Sequence, residues 1–177
     1  MGLIKSYAGK HPRLGERVYL AETAAVIGDV VLGDDVSVWY NSVVRGDCHS
    51  IRVGDRSNIQ DNCTIHVTAE RYDTVLEEEV TLGHGAIVHG AVVRRGALIG
   101  IRATVLDGAD VGESALVGAG ALVVPRTRVT PRTLWLGAPA REVRALSDAE
   151  VEDLKQFHLN YLAYKEEYFR VDGKWAR

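Results

Sequence analysis

Residues 93–123 read VRRGALIGIRATVLDGADVGESALVGAGALV. An aliphatic residue returns at every sixth position, as Val93, Ile99, Val105, Val111, Val117 and Val123. Four positions after most of these comes a small residue, namely Ala97, Ala103, Ala109, Ala115 and Ala121. A six-residue period fits neither a helix nor a hairpin. Units this short cannot bury their own apolar side and must stack on neighbours, so the period predicts a parallel β-helix. Three units per coil make a triangular prism. Glycine follows the aliphatic residue in many units, among them Ile27-Gly28, Leu82-Gly83 and Ile99-Gly100, where the chain turns or approaches itself closely.

Outward from this stretch, the phase runs back through Leu20, Val26, Leu32, Val38 and Val44, then resumes at Val53, Ile59 and Ile65 after about three extra residues. It resumes again at Leu76, Leu82 and Val88. Residues 67–75 (VTAERYDTV) lie off the register as a loop, and the step from Val88 to Val93 is one residue short. The expected layout is one domain over 1–177, with the β-helix at about 15–125 and an extended, proline-bearing crossover at 126–146. A C-terminal helix follows at 147–169. Ser147 and Glu150 form its capping box, and Val151, Leu154, Phe157 or His158, Tyr161, Tyr164 and Tyr168 give it an apolar stripe. The fold class is all-β with one α-helix laid along a face of the prism.

The chain has 177 residues, 46% hydrophobic and 25% charged, which suits one soluble domain with a sizeable core. A net charge of −3 without a basic cluster argues against nucleic acid as a partner. No apolar run approaches a bilayer span, so no membrane partner is expected. The opening residues lack the apolar centre of a signal peptide, and the expected location is cytoplasmic. Cys48 and Cys63 fall at the small inward position of the repeat and read as small buried hydrophobes.

Three histidines stand out against this frame. His66 and His89 each follow directly after an inward aliphatic residue, Ile65 and Val88, so they share one position in the repeat. Counting Ile65, Leu76, Leu82 and Val88 returns to the first wall after one coil and stacks the two imidazoles as neighbours, close enough to share an ion. His84 sits on another wall. A neighbouring prism in a three-fold assembly could present its His84 to this pair and leave a fourth position open. Arg45 precedes His66 by one coil on the same wall and could pair with Asp47 or with a carboxylate across an interface. Asp61 precedes His84 by one coil, and Gln60 could orient a metal-bound water or a substrate oxygen. His11, His49 and His158 have no phase relation to the three.

Arg45-Gly46-Asp47, the run Asn58-Ile59-Gln60-Asp61-Asn62 leading to His66, then Gly83-His84 and His89-Gly90, together resemble the γ-class carbonic anhydrase family. The resemblance covers nearly the whole chain, including Leu136-Gly137-Ala138-Pro139 and the Asn160-Tyr161 helix. It implies a left-handed β-helix homotrimer with a metal at each subunit interface, held by His66 and His89 of one chain and His84 of the next. Zinc is the usual metal of that family, with iron or cobalt in some members, and carbon dioxide and bicarbonate are substrate and product. By the same resemblance Arg45 and Asp47 are an interface ion pair, Gln60 holds the metal-bound solvent, Asp61 is an acidic position beside it, and Tyr161 stands near the mouth. Two positions depart from the family's prototype: Cys48 and Ala69 stand where it has acidic residues assigned to proton transfer. Slow or buffer-dependent hydration is the expectation. The rival readings are acyl transfer or thioester hydrolysis in a groove between subunits, and a non-catalytic metal-holding trimer.

Overall fold

The computed structural model describes residues 2–172. Three walls of parallel strands wind into a left-handed solenoid of about seven turns. The first wall stacks Ile4, Val26, Val44, Ile65, Val88, Val105 and Val123 in register. The second stacks Leu14, Leu32, Val53, Leu76, Val93, Val111 and Val129. The third stacks Leu20, Val38, Ile59, Leu82, Ile99, Val117 and Trp135. Apart from Ile4 and Leu14 at the open end, every one of these side chains is buried. Each buried aliphatic contributes roughly 1.5–3 kcal/mol, so the six-residue pattern is itself the core.

The corners explain the small residues and the turns. Ala86, Ala91, Ala97, Ala103, Ala109, Ala115 and Ala121 point into the prism where two walls meet and little volume is left. Beside them, residues such as Arg56, Asn62, Glu79 and Arg102 take left-handed backbone angles that the sharp turn requires. Gly28 is held by geometry: its φ is +80° and a Cβ there would lie 2.4 Å from the Gly46 carbonyl oxygen.

The solenoid reaches further than its aliphatic phase suggested. Leu3–Lys5 and Arg13–Leu14 pair with Ala25–Leu32, ahead of the expected start at 15. At the other end Arg128–Val129 pairs with Asp110–Val111, and Thr133–Leu136 with Leu116–Val117. The supposed crossover is therefore the last coil. Trp135 takes the inward position there, which hides the coil from a count of aliphatic residues, and Pro131 sits at a corner where no ladder donor is needed. Arg141–Ala145 then turns back antiparallel onto Thr133–Leu136 and leads into the helix.

The helix spans Asp148–Asp172 and is capped as the sequence implies. The Ser147 N–H donates to Glu150 Oε2 at 2.9 Å, and the Glu150 N–H donates to Ser147 Oγ at 3.3 Å. Val151 and Leu154 pack with Leu98 and Leu116 of the third wall. Beyond them the inward face differs from the expected stripe. Phe157 and Tyr164 are exposed, whereas His158 and Lys165 are buried. The stripe tracks the wall through positions 151, 154, 158, 161 and 165, and at Lys165 the wall offers a carboxylate instead of an apolar surface.

Candidate metal centre

The three extra residues before Val53 create the first half of the site. Gly28 pairs with Gly46 and Val30 with Ile51, so residues 47–50 bulge out opposite Asp29 alone. The bulge carries Asp47 over the neighbouring coil, where its Oδ1 meets His66 Nε2 at 2.9 Å while its other oxygen accepts from Arg45. Burial alone would raise the Asp47 carboxyl, but hydrogen bonds from His66 and Arg45 outweigh it and hold the pKa at about 2. The same bulge corrects the reading of Cys48. It is exposed rather than inward, with its sulfur 3.7 Å from the Val67 carbonyl oxygen. Cys63 is fully buried, as its place in the repeat implies.

His66 and His89 lie opposite each other in the ladder, and their rings meet with Nδ1 of His66 3.1 Å from Nε2 of His89. The far nitrogen of each ring is on a carboxylate. His66 Nε2 is held by Asp47, and His89 Nδ1 lies 2.6 Å from Asp107 Oδ1. A carboxylate accepts, so each neutral ring keeps its proton on that far side. The two nitrogens that face each other are then both lone pairs. Such a pair of lone pairs can be bridged by a proton or by a shared cation. Bonds of roughly 2.0–2.1 Å arranged tetrahedrally would set two ligand nitrogens about 3.3 Å apart, close to the separation observed. The donor set therefore fits a divalent metal.

His84 follows the same design on a different wall. Its Nδ1 lies 2.8 Å from Asp61 Oδ2, its backbone N–H donates to Gln60 Oε1 at 3.2 Å, and no contact among the described residues joins it to His66 or His89. Gln60 is buried, and its Nε2 donates to Asn58 Oδ1 at 3.3 Å. Within one chain Gln60 thus serves His84, and no hydrogen bond among the described residues joins its side chain to the stacked pair. His84 and Gln60 open on a cleft of about 540 Å³ between the third wall and the helix, lined also by Leu98, Leu116, Phe157 and Tyr161. Tyr161 is half-buried with its ring edge-on to Trp39 at 5.3 Å, and burial, then the charge of Asp61, push its phenol up to about 12.

Asp107 escaped the sequence reading, although a signal for it exists. It lies eighteen residues after His89, which is three six-residue units, or one full coil. Among the described residues, the group of ligand atoms lying within 4.8 Å of one another is Asp47, Cys48 and His66. Glu77 and Glu79, near the histidines in sequence, are committed elsewhere, to Arg94, Arg56 and Arg95.

No family model matches the chain. It is 43% identical over 169 residues to a protein of Geobacillus kaustophilus named carbonic anhydrase, covering 96% of this chain and 92% of that one. It is 40% identical to the mitochondrial gamma carbonic anhydrase 2 of Arabidopsis thaliana, covering 86% of this chain and 57% of that one. A crystal structure of a hexapeptide transferase family protein from Anaplasma phagocytophilum superposes with a TM-score of 0.90 at 35% identity, covering 94% of this chain and 98% of that one. With a relative of that identity matched along nearly its whole length, and with its stacked, carboxylate-held histidines, the chain belongs to the γ-class carbonic anhydrases.

Proposed function

We propose that this enzyme hydrates carbon dioxide to bicarbonate at a metal centre shared between two subunits of a homotrimer. His66 and His89 of one chain and His84 of the next would hold the metal, which is zinc, with iron or cobalt as alternatives. The observation that carries the reading is the pair of facing imidazole nitrogens 3.1 Å apart, each ring fixed from behind by an aspartate. When bound, such a metal supplies water acidified to a pKa of about 7 and hence hydroxide at neutral pH.

The protein's own groups have separate tasks in this reading. Asp47 and Asp107 orient the stacked rings and raise their basicity, and Asp61 does the same for His84. Arg45 neutralises Asp47 and fixes its angle. Gln60 sets the backbone of His84 and places an amide at the inner end of the cleft. The Tyr161 phenol stays protonated at neutral pH and acts as a hydrogen-bond donor near the mouth, not as a base. Leu98, Leu116 and Phe157 keep the cleft dry enough to favour an apolar gas over water. No helix among the described residues is long and apolar enough to cross a membrane, and the reading places the enzyme in the cytoplasm.

Stopped-flow hydration of carbon dioxide by protein loaded with zinc, iron or cobalt tests the proposal. Metal-dependent turnover that disappears in His66→Ala supports it; equal rates with and without metal in strong buffer would exclude it. A second reading, hydrolysis of an acyl thioester, is favoured by the cleft alone, which is far larger than carbon dioxide needs. Acyl-CoA hydrolysis measured beside hydration separates the two.

A further inference from the structure

We infer that Asp107 is a positioning residue for His89, and that the off-register segment 67–75 serves as a clasp that holds Asp107 in place. The inference rests on the metal-centre reading above and extends it to residues that the repeat leaves unexplained.

Both oxygens of Asp107 are engaged. Oδ1 lies 2.6 Å from His89 Nδ1, and Oδ2 accepts from Thr68 Oγ1 at 2.9 Å. Thr68 belongs to the excursion, which closes on itself through the Thr68 N–H donating to the Tyr72 carbonyl at 2.9 Å. The excursion then lies over the two coils that carry His89 and Asp107. A Cβ on Gly90 would fall 2.8 Å from Tyr72 Cβ, and one on Gly108 would fall 3.0 Å from the Tyr72 ring. Both glycines also have positive φ, +58° and +68°, so the chain keeps them bare where Tyr72 sits.

The exit from the excursion ties in the remaining ligand. The buried Thr74 hydroxyl donates to the His66 carbonyl oxygen at 2.6 Å and accepts the Gly90 N–H at 2.9 Å. One segment therefore holds the backbone of His66, the backbone beside His89 and the carboxylate behind the His89 ring. An insertion that merely bulged from a solenoid would need none of these contacts. Asp110, on the next wall, supplies the contrast. Its carboxylate serves Arg94 and Arg128, and no hydrogen bond among the described residues joins it to either ring.

The test is zinc affinity of the purified full chain, measured by competition with a chromophoric chelator, beside the thermal midpoint of the metal-free protein. Asp107→Ala is expected to weaken zinc binding by about 10–100-fold, the range for losing a group that orients a ligand imidazole. Asp107→Asn, which can still accept from His89 but carries no charge, should fall between the two, and Thr68→Val should weaken binding by less. Asp110→Asn should leave affinity unchanged. In the cobalt-loaded protein Asp107→Asn should also shift the visible absorption bands, a signature that general destabilisation does not produce. Zinc binding by Asp107→Asn within two-fold of the unaltered protein, with an unshifted cobalt spectrum, overturns the inference while leaving the metal centre standing. Failure of the unaltered protein to bind zinc, iron or cobalt overturns both.

Discussion

Lys165, in the last third of the helix, and Asp35, at a corner of the prism, meet at 2.6 Å although 130 residues separate them. Lys165 Nζ also donates to the Arg17 carbonyl oxygen at 3.0 Å, and only 1% of its side chain is exposed. Such a lysine is costly to bury, and the ion pair offsets that cost only because both partners are fixed. The pair anchors the helix that forms one side of the cleft. Lys165→Ala should lower unfolding stability by about 3 kcal/mol, because it breaks a buried pair and leaves a void. Lys165→Met keeps the volume and should cost less. Urea denaturation of the two variants checks the order, and equal losses would show that packing has no share.

Asp35 also gives the fold a sensitivity to acid. Burial alone would raise its carboxyl, but Arg17 and Lys165 hold it below the usual range. A carboxyl depressed in the folded state stabilises above its unfolded pKa of about 3.9, and that contribution is lost as pH falls through the folded value. Asp35→Asn should therefore be clearly less stable than the unaltered protein at about pH 6 and approach it below about pH 4. Thermal midpoints across this range provide the measurement. A difference that stays constant with pH would remove the carboxylate from the explanation.

Proton export is the expected weak step of the reaction. Cys48 occupies the bulge beside His66, and partial desolvation of the sulfur against the chain, then the neighbouring Asp47 charge, push its thiol above the ordinary range. A thiol that stays protonated is no proton acceptor. Cys48→Glu should raise kcat in weak buffer by roughly ten-fold, within the usual reach of a positioned general base, and leave kcat/KM nearly unchanged. Turnover measured against buffer concentration checks this, and a Cys48→Glu enzyme that still needs strong buffer would place the limit elsewhere.

Tyr161 should matter for orientation and not for proton transfer. With its phenol at about 12, Tyr161→Phe removes a donor but no base. The expected change is a loss of roughly ten-fold or less in kcat/KM, with the pH profile in the same place. A displaced profile would assign the phenol a titrating role.

Much of this molecule is legible as sequence because its core and its period are the same thing. Val93, Ile99 and Val105 fall on three successive walls, and the count that put His66 opposite His89 and Asp61 opposite His84 holds in the ladder. The pattern misleads where the period breaks. Cys48 keeps its offset of four from Val44 but stands on a bulge, so a position that is inward elsewhere faces out. Trp135 fills an inward position with the wrong residue class for an aliphatic search, and Lys165 is buried by an ion pair no helical pattern encodes. Asp107 stands one full coil past His89, a spacing the period encodes, but an aspartate in this chain carries no mark that sets it apart from the surface acids.

The central claim is that the metal centre forms only between chains, and subunit mixing tests it most directly. His84→Ala and His66→Ala should each be inactive and bind no metal at the centre. After the two are unfolded together and reassembled, every mixed trimer regains one intact junction, since one chain keeps His66 and His89 and its neighbour keeps His84. Random assembly should then recover about a quarter of the full metal content and carbon dioxide hydration, given cyclic three-fold symmetry. Full metal binding by His84→Ala alone, or mixed oligomers that remain empty and inactive, would contradict the account.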